Sequence, residues 1–395
     1  MILSPAAKGF AIMDVSFIVP AYKPNTKWLK ECIEAIIRTA SNHPQLKCEI
    51  LVGDDGSPAG MFECKNELNA LSPMIKVFRF PENRGPGPTR NALIEQASGR
   101  YIMPQDCDDI MLPFDLTRVV SFLDEHPEYI ASYSRKYCFN DHGLTGEVYG
   151  DEQSPFLAFF QPRVNINCML IRKKECIELG GFTAVPYGSI NEDVWLMFRM
   201  FEYSRIFFDS TEPRTLYRMH SSQITQTADD TNNDWQWMAH DMLLKHADIA
   251  SEILRGAIPQ EQDSCPERLI TALTGAVIFL HQKNHKLCNA LFQQILPRHP
   301  EDHGIREIYL TIALNMPDDT LFNTLYDQAM EYFADSPERQ YHLVMKALTN
   351  AEIRHLDKSK LLKLFRDLAK THSTPPEIVR ANAPAPAKQK YTWKI

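Results

Sequence analysis

The chain lacks an apolar run long enough to cross a membrane, a CxxC pair and an excess of basic residues. No window approaches the roughly 18 consecutive apolar residues that a membrane span needs. Residues 1–13 have no basic region followed by a long apolar run, which argues against a signal peptide. The net charge of −8 argues against a general nucleic-acid binder, whose binding surface would be basic.

The nine cysteines are scattered, and none of them shows a metal-ligand spacing with histidine. Dispersed cysteines in odd number are typical of free thiols in a reducing compartment. We therefore expect a cytoplasmic protein. With 395 residues, of which 44% are hydrophobic, the chain can bury a sizeable core and form two domains.

Short apolar strands alternate with amphipathic helices in the first half of the chain. The predicted strands cover residues 15–19, 49–53, 75–80, 101–103, 130–134 and 165–171. One predicted helix begins at Asn25 or Thr26, and another begins near Thr89. This alternation predicts an α/β fold, in which a mostly parallel sheet carries helices on both faces.

Polar motifs follow the predicted strands at the point where each strand ends. They are Tyr22 after the first strand, Asp54-Asp55-Gly56-Ser57 after the second, the loop 83–88 with Arg90 after the third, and Asp106-Cys107-Asp108-Asp109 after the fourth. Ligands of parallel sheets bind at the carboxyl ends of the strands, so we expect these motifs to meet at one edge.

Asp106, Asp108 and Asp109 lie close together in the sequence. Neighbouring carboxylates repel one another, so a folded protein keeps them together where something positive lies. In an extended segment, Asp106 and Asp108 point the same way and can face one ligand. A hard divalent cation prefers such oxygens and keeps positions open for phosphate. Taken alone, this stretch fits a solvated acidic turn equally well.

These motifs, with Gly180-Gly181-Phe182 and Asn191-Glu192-Asp193 further on, resemble the family-two glycosyltransferases of the GT-A fold over roughly residues 14–225. The resemblance implies an inverting enzyme that transfers a hexosyl or N-acetylhexosaminyl group from a UDP-sugar to a hydroxyl group. It implies Mn²⁺ or Mg²⁺ as cofactor. The implied acceptor is a carbohydrate or lipid-linked saccharide, as in the biosynthesis of a bacterial surface polysaccharide.

The resemblance also assigns roles to residues. Its nucleotide-binding positions are Pro20, Tyr22, Asp55, Arg90, Asp106 and Cys107. Its metal-binding DXD motif supplies Asp108 and Asp106, and His220 is a further candidate ligand. Asp193 would be the general base, and Glu192 would orient the acceptor or the base.

Plainer alternatives remain at several of these positions. Asp54 and Asp55 fit an ordinary turn in which Gly56 supplies a positive φ. The resemblance implies instead that Asp55 contacts the uracil ring and that Asp54 braces the loop. Tyr22 fits a core aromatic as well as a partner of the base. Arg84 fits a solvated loop charge, and Cys107 and His220 fit packing residues. Asp109 fits a capping or bracing residue, and residues 191–193 fit a helix cap. Arg218 is a further candidate for a contact with the diphosphate.

From about Asn233 the pattern is helical, with segments predicted at 235–254, 267–283, 286–296, 305–314, 321–333, 338–348 and 358–369. Stacked hairpins of the tetratricopeptide kind and an irregular bundle both fit this pattern. Such a domain would bind a protein or self-associate. The predicted domains are an extension at 1–13, the GT-A domain at 14–228, the helical domain at 229–372, and a linker with a basic tail at 373–395. The tail would contact the inner face of an anionic membrane or stay solvated.

Two other functions compete with glycosyl transfer. A nucleotidyltransferase that makes sugar nucleotides shares the α/β plan, but it needs a glycine-rich phosphate loop with a basic residue directly after the first strand. Pro20-Ala21-Tyr22 does not supply one. A noncatalytic adaptor would carry a decayed transferase domain, and the intact Asp108 and Asp193 argue against it.

Overall fold

The structure, a computed structural model, describes residues 13–59, 62, 64–150, 154–160, 164, 166–182, 191–223, 232–261, 265–313, 319–332, 334 and 340. Most of the extension at 1–13, Asn165, the tail at 373–395 and the predicted helix at 358–369 lie outside these residues, as does nearly all of the one at 338–348. The chain divides into two compact units between His240 and Asp241. In the described part, none of the helices combines the length and apolarity needed to cross a membrane.

The strands of the first unit, within the described residues, are β1 (Met13–Ala21), β2 (Cys48–Asp54), β3 (Ile75–Arg79), β4 (Gly99–Pro104), β5 (Ile110–Met111), β6 (Tyr129–Ser134), β7 (Lys136–Asn140), β8 (Gly143–Tyr149), β9 (Leu170–Arg172), β10 (Arg205–Asp209) and β11 (Thr215–Arg218). Its helices are α1 (Thr26–Ser41), α2 (Lys65–Leu71), α3 (Pro86–Gln96), α4 (Leu116–Glu125), α5 (Lys173–Glu178) and α6 (Glu192–Tyr203), with a short 3₁₀ helix at Leu157–Phe159.

Seven strands form the main sheet, in the order β10-β6-β9-β4-β1-β2-β3. The neighbours β4-β1-β2-β3 and the pair β10-β6 run parallel, and β9 alone runs antiparallel to both of its neighbours. A smaller sheet has the order β5-β11-β7-β8. Because β1, β2 and β4 are adjacent and parallel, the residues that follow them lie at the same edge of the main sheet.

Side chains of β1 alternate between two layers of core. Val15, Phe17 and Val19 pack on one face with residues of α1 and α4. Ile18 packs on the other face with residues of α3, α5 and α6. All four side chains are fully buried. A strand covered on both faces favours apolar residues at nearly every position, which explains the apolar run in the sequence. Ser16 interrupts the run; it is buried and donates to Glu49 at 2.6 Å.

The structure confirms the predicted α/β class and corrects two boundaries. The helix expected from Thr89 begins at Pro86. Proline suits the start of a helix because its φ is already helical, and because the backbone N–H that it lacks would have no partner within the helix. The strand expected at 165–171 is shorter: residues 167 and 168 form a turn, and β9 begins at Leu170. Cys168 in that turn has φ 58°, which a regular strand does not allow.

A helix that begins in the first unit, α7 (Asn232–Lys245), continues past the boundary between the units. The second unit then contains α8 (Ala247–Leu254), α9 (Glu267–Leu280), α10 (His285–Ile295), α11 (His303–Ala313) and α12 (Asp319–Tyr332). In its described residues the second unit is helical, as predicted. The centre of α9 is buried on all sides, from Leu269 to Phe279. The tetratricopeptide arrangement stays a prediction.

Candidate active site

The turn after β2 holds Asp54 and Asp55, and both carboxylates bind backbone amides. Asp54 accepts a hydrogen bond of 2.9 Å from the Ser57 amide, so it braces its own turn. Asp55 accepts from the Arg84 amide at 3.1 Å and from the Gly85 amide at 2.9 Å. Gly56 has φ +68°, as the sequence predicted. Asp55 thus fixes the loop that leads into α3, and its contact with uracil stays a prediction.

Tyr22 follows β1 at the same edge and is 40% exposed. This exposure excludes the alternative that Tyr22 is a core aromatic. The ammonium group of Lys23 lies 4.8 Å from the centre of its ring. Pro20 is part of β1, where its Cα is paired with Gly53 of β2, and it is buried. An exposed aromatic ring at the carboxyl end of a central strand is available to stack on a base.

Arg90 lies one turn into α3 and is only 5% exposed. Its Nη1 atom donates to Oε1 of Glu192 at 2.7 Å, and its Nη2 atom donates to Oδ1 of Asp106 at 2.6 Å. The guanidinium group also lies 5.2 Å from the ring centre of Phe182. Both terminal nitrogens of Arg90 therefore bind protein carboxylates, while its predicted contact with the nucleotide stays a prediction.

The loop of residues 105–109, called the acid loop from here on, is organised by Asn167. The Asn167 side chain accepts from the Asp106 amide at 3.1 Å and donates to Asp106 Oδ2 at 3.0 Å and Asp109 Oδ2 at 2.6 Å. Asp109 is fully buried and accepts from the Arg218 amide at 2.8 Å, so it braces β11 and does not cap a helix. Cys107 packs against the core, as one of the two alternatives predicted.

Burial raises the pKa of Asp109 well above its ordinary value, and the nearby Asp108 and Asp106 raise it further. Burial also raises the pKa of Asp108; Asp106 adds to this effect and His220 opposes it. The local electrostatics therefore favour a cation at the acid loop, because close carboxylates in a poorly hydrated site resist ionising together.

Asp108 and His220 are the best placed metal ligands. Oδ2 of Asp108 lies 3.0 Å from Nε2 of His220, and both side chains are partly exposed. The described residues contain no group of three or more His, Cys, Asp or Glu side chains arranged around one point. A carboxylate and an imidazole nevertheless suit Mn²⁺, and a cation that also binds substrate phosphates needs only one or two protein carboxylates. The residues therefore fit a divalent cation that is completed by a diphosphate.

Arg218 and Trp28 surround this pair. The guanidinium group of Arg218 donates to Glu31 at 2.8 Å and to the backbone oxygen of Asp108 at 2.8 Å. It lies 5.0 Å from the ring centre of Trp28, and the Trp28 ring lies 4.7 Å from the ring of His220. Arg218 thus holds the acid loop against α1, and its contact with a diphosphate stays a prediction.

Glu192 and Asp193 form the first turn of α6, where the sequence placed the second chemical motif. Glu192 is 5% exposed, and burial raises its pKa to about 7 although Arg90 opposes this shift. Burial also raises the pKa of Asp193, again against the effect of Arg90. Asn191 occupies the N-cap position of α6, but its side chain does not bind the amides of the helix and donates instead to Asp234 at 3.1 Å. A carboxylate whose pKa is raised toward neutrality is a better general base than an exposed one.

Two asparagine side chains, Asn91 and Asn167, act as clamps between distant segments of the chain, and the sequence motifs do not indicate either of them. The Asn91 side chain accepts from the Phe182 amide at 2.8 Å and donates to the Phe182 carbonyl oxygen at 3.1 Å. It thereby joins α3 to the Gly180-Gly181-Phe182 turn. The second clamp is Asn167. Asparagine side chains both donate and accept, so either could have been suspected, but the partners lie 58 to 91 residues away in the chain.

Residues 16–176 match the family described as Glycosyl transferase family 2. An uncharacterized glycosyltransferase of Haemophilus influenzae is 25% identical over 197 residues, which cover 48% of this chain and 69% of that protein. Poly(ribitol-phosphate) beta-N-acetylglucosaminyltransferase TarS of Staphylococcus aureus is 30% identical over 120 residues, which cover 29% of this chain but only 20% of TarS. The crystal structure of S. aureus TarS 1-349 in complex with UDP-GlcNAc covers 91% of each chain with 16% identity and a TM-score of 0.49.

The family match runs from the second half of β1 through the acid loop to α5, so it contains Asp55, Arg90 and the candidate metal motif. This part of the chain is therefore similar to glycosyl transferase family 2.

Proposed function

We propose that this protein transfers a sugar from a UDP-sugar to a hydroxyl group of a carbohydrate or lipid-linked acceptor, with inversion at the anomeric carbon. One observation carries the proposal: Arg90 joins a carboxylate of the acid loop to a carboxylate of the Glu192-Asp193 pair, at distances of 2.6 and 2.7 Å. The acid loop, which carries the candidate cation ligands Asp106 and Asp108, is thereby joined to the first turn of α6, which carries the candidate base Asp193.

In the proposed reaction, Asp193 accepts the proton of the acceptor hydroxyl group while the oxygen attacks the anomeric carbon. The bond between that carbon and the diphosphate oxygen breaks, and its electron pair leaves with UDP. A bound Mn²⁺ or Mg²⁺ would act as a Lewis acid toward the departing diphosphate. Asp108 and His220 would hold that ion, with Asp106 as a further candidate. No second nucleophilic carboxylate is needed, because one displacement inverts the anomeric configuration.

Donor recognition would come from the edge formed by β1 and β2. Tyr22 would offer its exposed ring to the uracil base. Asp55 is only 2% exposed, and its carboxylate would accept from a ring N–H group in addition to its two backbone donors. The name of TarS, a poly(ribitol-phosphate) beta-N-acetylglucosaminyltransferase, favours an N-acetylhexosaminyl donor and a polymeric acceptor. The second unit would bind a protein partner or a second copy of the chain, and the basic tail would stay solvated or contact an anionic membrane.

Calorimetry with UDP, with and without Mn²⁺, tests the nucleotide half of the proposal. We expect binding that Mn²⁺ strengthens by about tenfold or more, which corresponds to ~1.4 kcal/mol. A screen of UDP-sugars for slow hydrolysis then tests the sugar half. Absence of UDP binding under both conditions would refute the proposal and favour a noncatalytic adaptor. Binding of a nucleoside triphosphate with release of pyrophosphate would instead indicate a nucleotidyltransferase.

A further inference from the structure

Arg90 connects two parts of the site that are far apart in the sequence. Its partner Asp106 belongs to the acid loop after β4, and its partner Glu192 opens α6, 102 residues further along the chain than Arg90. Its side chain is 6% exposed, as is that of Glu192, while that of Asp106 is 33% exposed. The guanidinium group therefore lies beneath the open part of the site and faces its two carboxylates from inside the protein.

The surroundings of Arg90 leave little freedom for movement. The Phe182 ring lies 5.2 Å from the guanidinium carbon, and Asn91 fixes the backbone of Phe182 through two hydrogen bonds. At Gly87, one turn before Arg90, an added Cβ atom would lie 2.7 Å from Cγ of Glu192. A buried, planar guanidinium group with two charge-assisted hydrogen bonds fixes the direction of both carboxylates.

We propose that Arg90 is a positioning residue, which aligns the acid loop with the first turn of α6 and does not itself hold the donor diphosphate. This inference rests on the proposed function. Breaking a buried pair leaves an uncompensated buried charge. Both terminal nitrogens of Arg90 already bind carboxylates and its Nε atom is buried, so a phosphate would have to compete with Glu192 and Asp106 for the guanidinium group. The exposed oxygens of the site belong to Asp106 and Asp108, which lie nearer to the solvent.

The charge of Arg90 also acts on the candidate base. The groups that influence the ionisation of Asp193 from the elements around it are Arg90 on α3, Asp106 on the acid loop and Lys136 on β7. For Glu192 they are Arg90, Asp193 and Asp106. Arg90 is thus the one cation acting on both carboxylates among the influences found in the described residues. Its removal would disfavour their ionised forms and raise their pKa.

The test compares Arg90→Gln and Arg90→Lys with the parent protein, using Arg100→Gln as the control. Arg100 also bridges two carboxylates, Asp14 and Asp124, but it begins β4 at the opposite end from the acid loop and is 41% exposed. The measurements are the dissociation constant of UDP by calorimetry and the pH dependence of kcat for the best UDP-sugar. Thermal unfolding of each variant checks that the protein is folded.

For Arg90→Gln we expect a UDP dissociation constant within about threefold of the parent and a fall in kcat of about 10²-fold at pH 7. The acidic limb of the kcat profile should move to higher pH by at least about one unit. In Arg90→Lys the acidic limb should lie close to that of the parent, because lysine keeps the positive charge. Its kcat should recover only in part, because lysine lacks the forked geometry of the guanidinium group. If Arg90→Gln does not fold, Arg90→Lys carries the same comparison of UDP affinity and kcat.

A tenfold or larger loss of UDP affinity in either variant would overturn the inference and return Arg90 to the diphosphate. An equal fall in kcat at every pH would overturn it as well, because a merely structural residue would behave in that way. Failure of the parent protein to turn over any UDP-sugar would count against the proposed function instead. In that case the UDP affinity of the variants still decides whether Arg90 contacts the nucleotide.

Discussion

Oδ2 of Asp108 lies 3.0 Å from Nε2 of His220, although the two residues are 112 positions apart in the chain. The Trp28 ring packs beside the imidazole, and Arg218 holds the backbone of Asp108 from the other side. The pair is therefore fixed by groups that belong to α1 and β11 and not by the acid loop alone.

We predict that Asp108→Ala removes the gain in UDP affinity that Mn²⁺ provides, because the cation loses its principal carboxylate. The expected loss is about tenfold or more in the presence of Mn²⁺, and the measurement is calorimetry at a fixed ionic strength. His220→Gln should cause a smaller loss of the same kind. Without Mn²⁺, both variants should bind UDP as the parent does. A parent protein that binds UDP equally with and without Mn²⁺ would contradict the assignment of the metal site.

We predict that Asp193→Asn leaves the UDP affinity within about twofold but lowers kcat by about 10²- to 10⁴-fold, because an amide cannot accept the proton of the acceptor. The measurement is steady-state transfer or hydrolysis of the UDP-sugar at pH 7. Asp248→Asn is the control, since Asp248 is an exposed residue of the second unit. Unchanged turnover in Asp193→Asn would remove Asp193 from the role of general base.

The succession of strands and helices along the chain, and the edge of the sheet where the polar motifs meet, could be predicted because both depend on local patterns. Ile18, Leu51 and Ile102 stand in short apolar runs, which is typical of strands that are covered on both faces, and all three side chains are fully buried. The polar motifs had to follow those strands, and parallel strands bring their carboxyl ends together. The predicted start of α3 is three residues too late, because Pro86 resembles a loop residue in the sequence although it is the first residue of the helix.

The partners of the charged side chains could not be predicted in the same way. Arg90 was expected to face the nucleotide, but whether it binds Asp106 and Glu192 depends on how closely α3 approaches α6, which is set by packing around Phe182. Asn167 shows the same limit: its place in the sequence gives no sign of the two carboxylates that it binds. Long-range pairing of side chains follows from the tertiary structure, so periodicity and spacing carry little information about it.

Close packing between α3 and α6 leads to a prediction about Gly87. A Cβ atom there would lie 2.7 Å from Cγ of Glu192 and 3.0 Å from the carbonyl oxygen of Phe182. Gly87→Ala should therefore lower the free energy of unfolding by about 1–3 kcal/mol, as overpacking does elsewhere. The measurement is urea denaturation with linear extrapolation.

Glu192→Ala removes the Cγ atom that the new methyl group would meet, so it supplies the matched control in a double-mutant cycle. We expect Gly87→Ala to cost less in the Glu192→Ala background than in the parent, with a coupling energy of about 0.5 kcal/mol or more. If the effects of the two substitutions are strictly additive, the start of α3 moves away from Glu192 without strain. It would also weaken the argument that Gly87 lets α3 approach α6.

The last prediction concerns the ion pair between Asp209 and Arg214, whose side chains are 1% and 0% exposed. Nη2 of Arg214 lies 2.7 Å from Oδ2 of Asp209. Burial raises the pKa of Asp209, but hydrogen bonds from Arg118, Thr211 and Arg214 outweigh it and hold the pKa below its ordinary value. Since Arg214 also donates to Ser132, the pair ties the end of β10 to β6. Asp209→Asn should lower the free energy of unfolding at pH 7 by about 3–5 kcal/mol, because it leaves Arg214 buried without a counter-charge.

The pH dependence of this loss separates the ion pair from simple packing. A carboxylate whose pKa is lowered by folding stabilises the protein above the ordinary pKa of about 3.9 and ceases to do so as the pH falls through the lowered value. The difference in unfolding free energy between the parent and Asp209→Asn should therefore be constant from pH 7 to about 5 and shrink only at more acidic pH. Asp124→Asn is the control: this carboxylate also pairs with an arginine, but it is 38% exposed and should cost less than about 1 kcal/mol. A loss in Asp209→Asn that is equally small, or that already fades between pH 7 and 5, would show that the pair does not stabilise the fold through its charge.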